Sequence, residues 1–310
     1  MSALDELSQL RRNRGKPSKE ETKDNKAAYL FLVPWFIGLF GITIIPMGMS
    51  LYLSFTDYSL IQPGEWIGID NYVRMFSDAR LLNSLRVTFI YVLVGTPIQL
   101  VCALGVAILL DKGLKGVGFY RSVFYLPSLL GASVAVAILW RQLFGSVGLV
   151  NQVLALFNIE GLGWISNPDT ALGTIILLHV WTFGAPMIIF LAGLRQIPVM
   201  YYEAAQVDGA NAWTRFRAIT LPMLSPIIFF NFVLGIIGSF QSFTQAFIVS
   251  GGSCGPADST MFFTLYLYQQ GFTRFDMGYA SAMAWLLLII IAAFTGINFL
   301  ASKLWVFYDD

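Results

Sequence analysis

Glu203-Ala204-Ala205-Gln206-Val207-Asp208-Gly209, followed after nine residues by Ile219-Thr220-Leu221-Pro222, is a polar island between two long apolar runs. Tyr201 to Val207 carries a short helical pattern, and Gly209 supplies a backbone conformation closed to most other residues. Ala212 to Thr220 has room for a second helical turn before Pro222 opens the next apolar helix. A helix, a bend and a helix are therefore expected at a membrane surface. The small side chains of Ala204, Ala205 and Ala210 admit close approach by another surface, while Glu203 and Asp208 offer carboxylates to Arg or Lys on it.

The runs on either side set the class. With 56% hydrophobic and 12% charged residues in 310 positions, the chain cannot cover a globule with polar surface. Crossing a hydrocarbon core of about 30 Å takes roughly 20 helical residues, and six stretches meet that length, near 28–53, 86–110, 119–140, 171–194, 223–248 and 277–301. An all-α integral membrane protein with six transmembrane helices is expected. Pro34, Pro46, Pro97, Pro127, Pro186 and Pro226 fall inside these stretches, where neighbouring groups can satisfy the freed backbone, so kinked and mutually buried helices are anticipated.

Lys and Arg fix an orientation, because cytoplasmic loops retain positive charge. Fourteen of the 19 lie in the N-terminal tail, the loop after the second helix, the loop after the fourth and the C-terminal end. Arg74, Arg80, Arg86, Arg141 and Arg274 are the remaining five. Both termini and the Glu203 loop are assigned to the cytoplasm. Residues 1–27 read as a basic, disordered tail by composition, ahead of a six-helix permease domain over 28–310 whose polar loop spans about 195–222. No removable signal peptide is evident. Cys102 falls in the second apolar stretch and Cys254 in an outer loop, so neither a disulfide nor a metal pair is expected.

No G-x-x-x-x-G-K-[ST] sequence is present, so the chain does not cradle nucleotide phosphates in that way. No Asp or Glu lies well inside an apolar stretch, where ion-coupled carriers commonly place relays or ion ligands. Paired carboxylates, nucleophile–base sets and metal-ligand spacings are missing too, which argues against a membrane-embedded transferase. No catalytic and no metal-ligating residue is assigned. Energy for transport would have to arrive through a partner protein.

The spacing Glu-Ala-Ala, three residues, Gly, nine residues, Ile-x-Leu-Pro resembles the signature loop of permease subunits of ATP-binding-cassette importers, and every fixed position matches. That resemblance implies a type I importer permease fold. It also implies that Glu203, Ala204, Ala205, Asp208, Gly209, Ile219, Leu221 and Pro222 form the coupling helix that docks on the ATPase. Leu53-Ser54-Phe55-Thr56-Asp57-Tyr58 and Gly68-Ile69-Asp70-Asn71-Tyr72 resemble the carbohydrate-importing branch, the maltose-type and glycerol-phosphate-type permeases, as does Ser250-Gly251-Gly252 with Gly255-Pro256, where Ser253-Cys254 interrupts the usual run. The first of these segments and the basic tail look like the first of the two permeases in such systems. The implied partners are a second permease in a heterodimer, two nucleotide-binding subunits that carry the ATP and Mg, an extracytoplasmic solute-binding protein, the sugar itself and membrane lipid, with no nucleic acid.

In this branch the resemblance places the solute path on the helices flanking the coupling loop. There the chain has His179, Trp181 and Thr182 on one side, and Asn231, Gly235, Ser239, Gln241, Ser242 and Phe243 on the other. Positions 231, 235, 238, 242 and 245 share a face at helical spacing, and Trp181 and Phe243 offer flat surfaces to a sugar ring. Small and polar residues equally serve close helix packing and cross-helix hydrogen bonds, so both readings stand. His179 is expected to be neutral and hydrogen-bonded within the bundle. Arg86 and Arg141 read as interfacial anchors near helix ends. The function expected is a permease subunit of an ATP-driven importer of a sugar or oligosaccharide in a bacterial plasma membrane. Glycerol phosphate or a polyol is the alternative solute, and a secondary carrier or a membrane transferase the alternative class. The fourth and fifth stretches hold no Lys or Arg in their interiors, which favours a neutral saccharide over a phosphorylated one.

Overall fold

A computed structural model describes residues 19–113, 116–131 and 133–307. Residues 1–18, which carry most of the expected tail, lie outside the described residues. The chain divides into two compact units, residues 1–53 and 54–310. The first holds α1 (Lys19–Gly38) and α2 (Ile45–Leu53), joined by one π-helical stretch over Leu39–Ile44. Helix thus begins at Lys19, inside the segment expected to be a disordered tail. Tyr29–Leu53 is apolar and long enough to cross a membrane.

The second unit is helical throughout its described residues, with isolated bridges and no strand. α3 (Asp70–Ser77) precedes α4 (Ala79–Ile90), which runs through a π turn at Tyr91–Gly95 into α5 (Thr96–Asp111). α6 (Val117–Leu130) and α7 (Val134–Leu143) meet at 99°, and α8 (Leu149–Leu156) follows. α9 (Pro168–Trp181) and α10 (Gly184–Leu194) meet at 42°. α11 (Val199–Val207) and α12 (Ala212–Arg215) make the polar loop; a π turn at Phe216–Thr220 carries α12 into α13 (Leu221–Phe240). α14 (Thr244–Val249), α15 (Phe263–Tyr268) and the long α16 (Met277–Trp305) complete the unit.

Proline chemistry explains where these helices deviate. Proline has no N–H to give the carbonyl four residues back, and its ring crowds that carbonyl. Each π stretch that ends at Ile44, Gly95 or Thr220 stops two residues before a proline, Pro46, Pro97 and Pro222. At Thr220 the switch is explicit: the Leu221 N–H reaches back five residues to the Phe216 carbonyl. One extra residue in the turn lets the helix absorb the proline without stopping. Pro222 therefore does not start a helix, as the sequence suggests, but sits within a continuous one from Ala212 to Phe240. The third and fourth expected spans are instead broken helices, each with a proline within a turn of the break, Pro127 and Pro186. The fifth, expected over 223–248, ends at Phe240. The shared face of positions 231 to 245 stops with it, and Ser242 and Gln245 lie beyond the helix.

Two packed clusters hold the unit together. Near the polar loop, Leu100, Ala103, Ala107 and Leu110 of α5 meet Met187, Phe190, Leu191 and Leu194 of α10, closed by Leu224 of α13. Alanines at 103 and 107 bring the backbones close, which membrane helix packing favours in the absence of a hydrophobic drive between helices. Toward the opposite end Tyr91, Phe240, Phe262, Phe263 and Tyr279 form the second cluster.

That end is capped by Asp78. Its Oδ1 accepts the Arg80 and Leu81 N–H groups at 3.0 and 3.1 Å, and its Oδ2 accepts the hydroxyls of Tyr266 and Tyr279 at 2.7 and 2.8 Å. Burial pushes the carboxyl up from its ordinary value of 3.8, but the two hydroxyls and two backbone N–H groups outweigh it and hold it lower. A depressed carboxylate contributes stability that is present above the unfolded value and lost as pH falls through the folded one. Asp78→Asn is expected to cost about 2 kcal/mol of stability at neutral pH, since charge-assisted hydrogen bonds become neutral ones. The loss of thermal midpoint expected of the parent on acidification below pH 3.8 should shrink in the variant, as thermal unfolding in detergent across that range would show.

Candidate functional site

The polar loop is built as a capped pair of helices. α11 ends in a Schellman motif: the Ala210 N–H bonds the Ala205 carbonyl at 2.8 Å and the Gly209 N–H bonds the Gln206 carbonyl at 3.1 Å. Gly209 takes φ = +78°, which glycine adopts without the strain of a β-carbon. Asn211 then caps α12, its Oδ1 accepting the Thr214 N–H at 2.9 Å. The Tyr202 and Thr220 hydroxyls bond at 2.9 Å, tying α11 to the π turn. Glu203, Ala204, Asp208, Gly209 and Leu221 are exposed; Ala205 and Pro222 are half-buried, and Ile219 packs into the cluster around Leu194. Val207 and Trp213, both strongly exposed, add apolar area beside the carboxylates. Arg195, just past α10, reaches Asp111 at the end of α5 at 3.5 Å.

Midway along the helices lies a groove of about 330 Å³, lined by Gln99, Leu100, Ser128, Gly131, Thr182, Ala185, Pro186, Ile189, Asn231, Leu234, Gly235 and Gln245. No charged side chain lines it. Both broken helices present their breaks here. The Gly131 carbonyl, after α6, accepts from Gln245 Nε2 at 3.4 Å. In the fourth span Pro186 deprives the Thr182 carbonyl of its helical donor, and Ser128 Oγ replaces it at 2.8 Å while accepting the Ala185 N–H at 2.9 Å. Gln99 Nε2 adds bonds to the carbonyls of His179 and Thr182 at 3.0 and 3.3 Å and to Thr182 Oγ1 at 3.0 Å. Carbonyl partners require the amide nitrogen, so Gln99 Oε1 is left as an acceptor. Asn231 is arranged alike, donating to the Ile227 carbonyl at 2.9 Å. A neutral groove with amide acceptors suits a solute rich in hydroxyl donors.

Of the residues expected on the solute path, Thr182, Asn231 and Gly235 line this groove. His179 and Ser239 instead join helices: His179 Nε2 faces Ser239 Oγ at 3.4 Å, and Ser239 bonds Thr96 Oγ1 at 2.9 Å. Ser242 bonds Gln245 Oε1 at 3.1 Å and faces the Tyr91 hydroxyl at 3.4 Å. Trp181 lies against Trp140, with ring centroids 5.8 Å apart, and Phe243 stacks on Phe247 at 5.2 Å, so neither flat surface faces the groove. Gln241 is exposed just past α13. Gln99 and Ser128 lie outside the set expected from sequence; a lone amide in the apolar run Thr96–Asp111 and a serine next to Pro127 are the signals that mark them.

A set of apolar helices with a neutral groove midway and an exposed helical loop at one end is the build of a membrane permease. The chain belongs to the family of binding-protein-dependent transport system inner membrane components, whose model matches residues 75–304. It is 51% identical over 297 residues, 95% of this chain and 96% of the other, to the probable ABC transporter permease protein YesP of Bacillus subtilis. With the lactose transport system permease protein LacF of Rhizobium radiobacter it shares 32% identity over 282 residues, 89% and 93% of the two chains. Its fold matches a chain in the crystal structure of a bacterial alginate ABC transporter in complex with an alginate pentasaccharide-bound periplasmic protein, with a TM-score of 0.77 at 21% identity over 93% and 98% of the chains.

The groove depends on a close approach at Gly184, where a β-carbon would overlap the Phe124 carbonyl oxygen, whereas one on Gly173 in the same span meets nothing within 4 Å. Gly184→Ala is expected to lower stability by about 1–3 kcal/mol, the usual cost of overpacking, and Gly173→Ala to leave it unchanged or slightly raised, as thermal unfolding of both variants would reveal.

Proposed function

We propose that this chain is one permease subunit of an ATP-driven importer of a sugar or oligosaccharide in a bacterial plasma membrane, crossing it six times with both termini in the cytoplasm. The tail ahead of residue 28 is not part of the permease domain on this reading. The chain pairs with a second permease, two ATPase subunits carry ATP and Mg, and an extracytoplasmic binding protein delivers solute at the end capped by Asp78. Glu203, Ala204, Ala205, Asp208 and Gly209 form the docking face for the ATPase, with Ile219, Leu221 and Pro222 joining it to the bundle. The groove carries the solute, so Thr182, Asn231 and Gly235 keep that assignment, joined by Gln99, Ser128 and Gln245. His179, Trp181, Ser239, Gln241, Ser242 and Phe243 hold the groove's walls.

The observation that carries this reading is the connection of the exposed loop to the groove: α12, the π turn and α13 form one helix that begins three residues after Gly209 of the docking face and carries Asn231 and Gly235 along it. The sugar assignment is supported by the neutral, acceptor-bearing groove and by similarity to a relative named for lactose transport.

Two sets of variants test the two ends. Glu203→Lys reverses an exposed charge and Gly209→Val strains a left-handed turn. Each is expected to leave the chain inserted but to abolish both uptake and ATP hydrolysis by the assembled complex; normal uptake by both would remove the coupling role. Ala185→Trp fills the groove. It is expected to leave ATP hydrolysis and complex assembly intact while uptake of radiolabelled sugars, tested with lactose, maltose and arabinooligosaccharides, falls at least tenfold.

A further inference from the structure

The break between α9 and α10 leaves the Thr182 carbonyl and the Ala185 N–H without helical partners, and side chains from two other helices meet them. Pro186 cannot donate to the Thr182 carbonyl. The Thr182 N–H has already turned to the His179 carbonyl at 3.1 Å, and regular bonding resumes only with the Met187 N–H on the Phe183 carbonyl at 3.0 Å. Ser128 of α6 bridges the break from one side, bonding the Thr182 carbonyl and the Ala185 N–H. Gln99 of α5 closes it from the other with three contacts from one amide nitrogen. Gln99 is 7% exposed, and it lines the groove. A buried glutamine in an apolar helix costs free energy unless its hydrogen bonds are made, and these are made to the broken turn and to nothing else.

We propose that Gln99 is a positioning residue for transport: its amide nitrogen holds the broken turn Trp181–Gly184 in the bent shape that opens the groove, and its oxygen is thereby turned toward the solute. Ser128 supports the same turn. The inference rests on the groove being the solute path. It predicts that Pro186, which creates the unpartnered carbonyl, and Gln99, which occupies it, act on one structural feature. Replacing Pro186 by alanine restores an N–H to the Thr182 carbonyl, so the turn no longer needs an outside donor and the helix straightens.

The test uses the assembled transporter in membranes with cysteine in place of Ala185, a groove-lining residue, and the membrane-impermeant, permanently charged reagent 2-(trimethylammonium)ethyl methanethiosulfonate as probe, with labelling of the native cysteines subtracted. Labelling rate reports how open the groove is, and co-purification with the partner subunits reports that the complex is folded and assembled. Gln99→Leu and Pro186→Ala are each expected to slow labelling at least fivefold while the partners are recovered at the parent's stoichiometry. Adding Gln99→Leu to Pro186→Ala is expected to change labelling by less than twofold, because both act on one carbonyl and their effects do not add.

Pro186→Ala does not remove a buried polar group, so it stays decisive even where Gln99→Leu fails to assemble. Parent-like labelling in Pro186→Ala, or full additivity in the double variant, overturns the assignment of Gln99 while leaving the groove as the path. No labelling in the parent carrying only the Ala185 replacement overturns the groove reading itself, and the role of Gln99 falls with it.

Discussion

A backbone that crosses lipid must satisfy its own hydrogen bonds, because no water is present to do so, and prolines in the apolar stretches break that rule at fixed places. The architecture is the set of repairs. At Pro97 and Pro222 the helix stays continuous, and a π turn that ends two residues ahead of the proline takes up the mismatch. Where it does not, the chain bends and side chains from neighbouring helices supply the missing partners. Ser128 and Gln99 do so at the Pro186 break, and Gln245 at the break after Pro127.

The two kinds of repair have different mechanical consequences. A π turn keeps the segments on either side in one helix, so movement at Ala212 is carried along to Phe240. A bent break separates two short helices that can change angle, held by only a few hydrogen bonds. The groove is lined by two continuous helices, α5 and α13, by the two broken spans and by Gln245, so rigid struts and jointed walls face each other across it.

Much of this was legible in the sequence, and the failures share one cause. Apolar length located the four continuous helices long enough to cross a membrane and the two bent pairs, and the Glu203–Pro222 spacing located the loop, because Gly209 and Asn211 encode their own caps within a few residues. The same prolines were visible, yet whether each would be absorbed, as at Pro222, or would split a span, as near Pro186, depends on which side chains other helices bring to the freed carbonyl. Gln99 lies 83 residues before Thr182 in the chain, a separation over which one sequence carries no pairing signal. The helical face drawn from 231 to 245 failed for a related reason: periodicity assumes an unbroken helix, and α13 stops at Phe240. His179 was expected to be hydrogen-bonded within the bundle and Ser239 to line a path or pack; in the fold the two side chains face each other, with Thr96 completing the contact.

The neutral groove and the charged ends follow from the same electrostatic constraint. Ionised side chains in the bundle would need partners at membrane depth, and the ion pairs among the described residues lie at helix ends or in loops: Arg74 with Asp276, Arg80 with Asp258, and Arg195 with Asp111. The Arg80 pair is a fork, with Nε and Nη2 each bonding one oxygen of Asp258 at 3.0 and 2.8 Å, a geometry that fixes direction as well as distance. At the loop end Arg195 and Asp111 join the ends of α10 and α5, the two helices whose facing side chains form the inner cluster. α5 and α10 are thus joined both by the cluster and by the ion pair, whereas the angle at Trp181–Gly184 is set by hydrogen bonds from Gln99 and Ser128 and not by the cluster.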